Sequence, residues 1–305
     1  LKGANAGDAI AMRNLGVDYR DGIGVPRDYG KAMPLFQQAG NAGDATAANC
    51  AGDLYYYGQG VPQDNGKALT WYLKSANGGY ASGMANMGYM YDNGLGVPRD
   101  YGQAMNWYQK AAAGGSANAM GQLGYMYDNG LGVQQDSQQA AAWYLKAANE
   151  GDATATTNLG VLYRDGRGVP QDYGRAMTLF QKAANAGDAT AENCIGDLYY
   201  YGQGVPQDNG KALTWYLKSA NGGYASGMAN MGYMYDNGLG VPQDYGQAMN
   251  WYQKAAAAGS ANGMYNVGLL YENGQGVAKD MDQAMSWYHK AADAGDPNAK
   301  KRLQQ

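Results

Sequence analysis

Residues 81–115 read ASGMANMGYMYDNGLGVPRDYGQAMNWYQKAAAGG, and the fold can be read from this stretch. Ala81, Met84, Met87, Gly88 and Tyr91 fall at spacings that place them on one face of a helix. Asp-Asn-Gly-Leu-Gly-Val-Pro at 92–98 stops that helix, because its two glycines are free to take positive φ and its proline precedes the next start. Asp100 suits an N-cap, and Gln103 three residues later completes a capping-box pattern. Ala104, Trp107, Tyr108, Ala111 and Ala112 then form the apolar face of a second helix, with the Trp series assigned to the inter-helix core. Gly115 ends it and Ser116 caps the next helix, so the stretch is a helical hairpin.

The hairpin repeats with a period of 36 that never slips. Gly16 recurs as Gly52, Gly88, Gly124, Gly160, Gly196, Gly232 and Gly268, and Tyr19, Val25 and Asp28 recur with it. A fixed period of this length marks a solenoid, in which each unit buries its apolar face only against its neighbours. The expected architecture is one all-α array rather than two globules. Its units run at about 8–43, 44–79, 80–115, 116–151, 152–187, 188–223, 224–259 and 260–295. A partial capping helix at 296–305 ends in Lys300, Lys301 and Arg302, which suits an exposed end. Residues 52–98 are identical to 196–242, an internal duplication at an offset of four units.

This repeat explains the composition. The chain carries 48 Gly and 28 Tyr but 2 Phe and 1 His in 305 residues. So much glycine would suit a linker or collagen, yet 45% of residues are hydrophobic and no Gly-x-y period exists. The Gly22 and Gly24 series supply the turn inside each hairpin, and the Gly7 series ends the second helix. The Gly16 series lies inside the first helix, where a missing side chain lets the paired helix approach. The Tyr19 series is expected to face that partner and to be buried in every unit.

The net charge of −4 comes without a basic stripe, which argues against nucleic acid. No apolar stretch is long enough to span a membrane. Cys50 and Cys194 are separated by the duplication offset and read as two copies of one small buried residue, not a disulfide. His289 sits at a solvent-facing helix position, so a histidine-based mechanism has little support. Asp44, Asp152 and Asp188 recur as caps and carry structure, not an active site. With no His/Cys cluster, no metal or cofactor is expected, and the chain reads as a non-enzyme. It opens on Leu1: if a signal peptide was removed, a bacterial periplasmic or exported location is expected, and otherwise a cytoplasmic one.

The motif Leu-Gly-x-x-Tyr-x-x-Gly-x-Gly-Val-x-x-Asp, followed by Trp-Tyr-x-Lys-Ala-Ala, closely resembles the Sel-1-like repeat. One copy runs from Leu123-Gly124 through Gly132-Val133 to Trp143-Tyr144-Leu145-Lys146-Ala147-Ala148. The resemblance covers nearly the whole chain and implies a right-handed α-solenoid superhelix, related to tetratricopeptide repeats, that binds other proteins. Family members act as adaptors, and some bacterial ones are receptors or inhibitors of secreted proteins. Cys-rich relatives with a disulfide in each unit are linked to β-lactam binding, and this chain lacks their paired cysteines. A hydrolase-like or β-lactam-binding activity is therefore the least supported alternative.

By analogy with tetratricopeptide arrays, the side of the first helix turned away from its partner lines a concave groove. That stripe takes Arg20 from the first unit, Asp53, Tyr56 and Tyr57 from the second, and Tyr89 and Asp92 from the third. The fourth adds Tyr125 and Asp128, and the fifth Arg164. Asp197, Tyr200 and Tyr201 come from the sixth, Tyr233 and Asp236 from the seventh, and Tyr265 and Glu272 from the eighth. Tyrosine offers contact area and a hydroxyl at low entropic cost, and displayed carboxylates would steer a basic protein partner. The expectation is a protein-binding module, monomeric when alone. It serves either as a general scaffold or as a dedicated receptor, such as an immunity protein that inhibits a secreted toxin.

Overall fold

A computed structural model describes residues 8–304, and among them the backbone forms seventeen helices and no strand. Gly7 and Gln305, which the sequence places in a helix stop and in the partial cap, lie outside the described residues. The chain divides between Asp152 and Ala153 into two compact units of four repeats each. In the first lie α1 (Ala9–Asp21), α2 (Tyr29–Asn41), α3 (Ala45–Tyr57), α4 (Asn65–Asn77), α5 (Ala81–Asn93), α6 (Tyr101–Ala113), α7 (Ala117–Asn129) and α8 (Ser137–Asn149). The second holds α9 (Ala153–Asp165), α10 (Tyr173–Asn185), α11 (Ala189–Tyr201), α12 (Asn209–Asn221), α13 (Ala225–Asn237), α14 (Tyr245–Ala257), α15 (Ala261–Asn273) and α16 (Met281–Asp293). Its last helix, α17 (Pro297–Arg302), is the partial cap.

Within each unit every helix packs on the next, so each hairpin is buried against its neighbour and the architecture is an all-α solenoid. First helices of adjacent repeats also touch, where α3 meets α5, α11 meets α13 and α13 meets α15. Within each unit these contacts bring neighbouring first helices side by side, and Tyr56, Tyr57, Tyr89, Tyr200, Tyr201, Tyr233 and Tyr265 lie on the helices so joined.

Local chemistry holds each hairpin at fixed geometry. After α5, Gly94 and Gly96 take φ of 67° and 71°, values that disfavour any residue with a Cβ. At Gly96 a Cβ would also lie 2.7 Å from the Asn65 carbonyl oxygen, so the turn rests directly on the start of α4. The Asp100 side chain then accepts a hydrogen bond from the Gln103 N–H at 2.9 Å and caps α6. Its own N–H donates to the Tyr91 carbonyl at 3.0 Å, tying the two helices together at the turn.

Two first helices lack this device. Tyr80 and Tyr224 occupy the N-cap positions of α5 and α13 with extended backbone but no side-chain capping bond. Where Asp44 and Ser116 stand at the equivalent positions, their oxygens accept from Ala47 and Ala119. Tyr80→Asp is therefore expected to raise stability by about 1 kcal/mol. A urea midpoint that stays put or falls would refute this.

The core corrects two expectations. The glycine inside each first helix does more than admit a neighbouring backbone: it is a socket for an aromatic ring of the second helix. A Cβ at Gly88 would lie 2.6 Å from Tyr108 ring carbons, and one at Gly16 would lie 2.7 Å from Phe36. Gly52 and Tyr72 repeat the arrangement, as do Gly196 and Tyr216. The fully buried aromatics are thus the Tyr108 series, with Tyr108 only 1% exposed. The Tyr19 series, expected to be buried, is half-buried and packs at the edge, with the Lys31 ammonium over the Tyr19 ring. The Trp series is half-buried too, with Lys110 over Trp107 at 4.2 Å and Lys146 over Trp143 at 4.0 Å.

Candidate functional site

The candidate residues separate by depth. Tyr57 and Tyr201, at the C-terminal ends of α3 and α11, are each 65% exposed. Tyr89, Tyr125 and Tyr233, one residue after their socket glycines, also stand out into solvent. Tyr56 and Tyr200 are half-buried beside them. Tyr265 is half-buried and packs on the Tyr288 ring with centroids 5.5 Å apart.

The carboxylates behave differently, because the buried tyrosines reach them from below. The Tyr72 hydroxyl donates to Asp53 Oδ1 at 2.8 Å, and Asn49 Nδ2 donates to Asp53 Oδ2 at 3.0 Å. Asn86 Nδ2 in turn donates to Asn49 Oδ1 at 2.9 Å, joining α3 to α5. In the second unit Tyr216 and Asn193 donate to Asp197 at 2.8 and 3.2 Å, and Asn230 donates to Asn193. Burial pushes the Asp53 carboxyl up to about 6, against the opposing pull of the Tyr72 bond and the Arg20 charge. Asp197 is raised by the same cause.

Asp92 and Asp236 accept from Tyr108 and Tyr252 at 3.4 and 3.2 Å, and burial raises both. Glu272 goes the other way: hydrogen bonds from Tyr288 and Arg302 hold it below the usual carboxylate range. Asp128 is half-buried, with the Ser137 hydroxyl 3.5 Å away. Arg20 and Arg164 point their guanidinium groups at the adjacent Asp21 and Asp165, at 2.7 Å, which offsets much of their charge. The picture of freely displayed steering carboxylates therefore does not hold for Asp53 and Asp197, which are recessed and hydrogen-bonded.

Two groups of these residues come together in space. Asp53, Tyr56, Tyr57 and Tyr89 line a pocket of about 330 Å³ at α3 and α5, together with Tyr72, Ala85, Asn86 and, from α7, Asn118. Asp197, Tyr200, Tyr201 and Tyr233 line its counterpart of about 410 Å³, with Tyr216, Ala229, Asn230 and, from α15, Asn262 and Asn266, the last without an equivalent in the first pocket. In the first, the Tyr56 and Tyr57 rings meet edge to face at 4.8 Å and 82°. Tyr56 lies equally crosswise to Tyr89 at 6.1 Å, and their hydroxyls are 3.2 Å apart. The second pocket reproduces these values closely. Asp92, Asp128, Asp236, Tyr125, Tyr265 and Glu272 line neither pocket.

The hydroxyls of the buried tyrosines were the functional groups that spacing missed. A signal for them exists. Second-helix position 36 is Phe where the first helix offers Val17 and Arg20, and Phe180 likewise pairs with Val161 and Arg164. Tyr stands at that position in the repeats with Asp53, Asp92, Asp197, Asp236 and Glu272.

Other chemistry is sparse. Cys50 and Cys194 are free and buried, and burial pushes their thiols up to about 11 and 12, so neither is a ready nucleophile. His289 is exposed. Among the described residues no group of His, Cys, Asp and Glu is placed to hold a metal, and no helix is long and apolar enough to cross a membrane.

Comparison with known proteins agrees with the fold. The Sel1 repeat family pattern matches residues 9–44, 46–80, 81–116, 117–152, 153–188, 191–224, 225–260 and 261–296. A protective antigen of uropathogenic Escherichia coli strains displaying an SLR fold is 35% identical, with a TM-score of 0.75. That match covers 99% of this chain but only 65% of the antigen. A Sel1 repeat protein from Oxalobacter formigenes is 31% identical over 100% of this chain and 88% of its own, with a TM-score of 0.70. An immunity protein from Pseudomonas aeruginosa shares the fold at 21% identity, over 70% of this chain and 81% of its own, with a TM-score of 0.52. No curated protein sequence matches the chain.

Proposed function

The chain belongs to the Sel1 repeat family, whose members are protein-interaction modules, and from this premise we propose that it is a non-enzymatic module that binds a protein partner through its first helices. The observation that carries this reading is the pair of tyrosine-walled pockets, set on the surface that adjacent first helices share. Tyr57 and Tyr201 hold rings at 65% exposure, where a monomer gains little from them. Large rings crossed at right angles by a neighbour are rigid, so they lose little entropy when a partner covers them.

The partner is captured with the tagged chain from a source-cell extract, identified by mass spectrometry, and titrated against wild type and variants. Tyr57→Ala and Tyr201→Ala together are expected to weaken binding at least about 30-fold, the scale of a hot-spot residue, with no change in the unfolding midpoint. Unchanged affinity would move the interface to the second helices or the turns. The same titration separates the two roles. A one-to-one complex near nanomolar Kd fits a dedicated receptor or inhibitor, and several micromolar partners fit a scaffold.

A further inference from the structure

We propose that each tyrosine-walled pocket is a receptor for one arginine side chain of the protein partner, with the guanidinium group seated over the carboxylate of Asp53 in one pocket and of Asp197 in the other. This inference rests on the interface reading above and specifies what that interface recognises.

The charge in each pocket is unbalanced. The only formally charged residue lining the first pocket is Asp53, and the only one lining the second is Asp197. Neither forms an ion pair with any lysine or arginine among the described residues. Arg20, the cation whose field reaches Asp53, is turned toward Asp21 with two bonds of 2.7 Å. The donors that do reach Asp53, Tyr72 and Asn49, are both neutral. The carboxylate is thus oriented and partly desolvated but not neutralised, and its raised pKa records that shortfall. An arriving cation supplies what it lacks, whereas an anion would be repelled.

The shape suits a flat cation. Tyr56 and Tyr57 cross at 82°, and Tyr56 and Tyr89 at 80°, so the rings pack edge to face and form walls at right angles instead of a parallel stack. A planar guanidinium can stack on one ring face while its edge donors reach the carboxylate and the tyrosine hydroxyls. An ammonium has no such plane, which selects arginine over lysine. The site is also present twice. Each residue named on these walls lies within the duplicated segment 52–98 and 196–242, and the crossing angles agree to within a degree.

The test uses the full chain at pH 8 and three probes that need no partner: N-acetyl-arginine amide, N-acetyl-lysine amide and N-acetyl-citrulline amide, followed by calorimetry and NMR. Citrulline keeps the shape of arginine without the charge. Two equivalent sites are expected for the arginine probe, with citrulline at least about tenfold weaker. Asp53→Asn should reduce the stoichiometry from two to one, and Asp53→Asn with Asp197→Asn should abolish binding. Tyr57→Ala, a change at an exposed ring that leaves the core intact, should weaken the first site alone. Equal binding of citrulline, tighter binding of lysine, or an unchanged stoichiometry in the double variant would overturn the assignment. The partner titration fails independently. Charge-selective binding of the arginine probe, together with partner affinity untouched by Tyr57→Ala and Tyr201→Ala, would support the pocket chemistry and overturn the interface reading. The converse result would keep the interface and overturn the arginine assignment.

Discussion

Gly88→Ala is expected to destabilise the chain by about 2 kcal/mol, although alanine in place of glycine inside a helix ordinarily stabilises it by ~1 kcal/mol. The reason is geometric. The new methyl would sit 2.6 Å from Cδ1 and Cε1 of Tyr108, inside any normal contact distance. The ring cannot swing clear, because Tyr108 is 1% exposed and its hydroxyl is engaged by Asp92. The helices must separate or the ring must leave its rotamer, and either change costs more than the propensity gain. A Tyr108→Leu background should reduce the penalty by about 1 kcal/mol, since the clashing edge is gone. Urea unfolding of the single and double variants checks both values, and a neutral or stabilising Gly88→Ala would refute the socket. The control is Gly43, which has open space where a Cβ would go but a φ of 98°. Any loss on substituting it comes from the backbone alone.

The second large effect is a pH dependence. Burial is the main cause that raises the Asp53 carboxyl to about 6, against ~3.9 for an unfolded aspartate. Between these values the folded state binds more protons than the unfolded state, so stability falls as pH rises through this window. Below ~pH 4 the group is protonated in both states and contributes nothing of this kind. Above about pH 6 the full penalty, on the order of 2–3 kcal/mol, is present. Asp197 shifts in the same direction for the same reason. Asp28, Asp64 and Asp208 are lowered, chiefly by the N–H groups they cap, so their contribution is lost only as pH falls below the ordinary aspartate range. The window from pH 4.5 to 7.5 therefore reports on the raised carboxylates and not on the caps. Asp53→Asn is expected to flatten the stability profile there by about 2 kcal/mol. Chemical denaturation at fixed pH steps measures it, and parallel profiles for wild type and variant would rule it out.

Both effects arise between helices, whereas the scaffold that carries them is encoded locally. The 36-residue period, the turn glycines and the capping aspartates are legible in sequence because each acts within a few residues of itself. Exposure of Tyr57 and Tyr201 also follows from helical phase, since a position turned away from the paired helix has nothing of its own repeat to cover it. The same phase places Asp53 on the displayed side, but phase does not fix its depth. Depth depends on contacts across helices: the Tyr72 hydroxyl reaches Asp53 from α4, and Asn86 and Tyr89 arrive from α5. Whether a carboxylate steers or is sequestered is decided by the tyrosine of its own paired helix together with what the next repeat lays over it.

By itself, then, the sequence determined an all-α array of hairpins, their turns and caps, and the positions of the displayed tyrosines, because these depend on short-range spacing. Only the tertiary structure decided that the first-helix glycines are sockets for buried rings and that those rings' hydroxyls hold the carboxylates. It also decided that two tyrosine clusters close around Asp53 and Asp197 as pockets. Each of these needs a contact between residues 16 or more positions apart, whose distance is set by how helices pack and not by the order of residues along them.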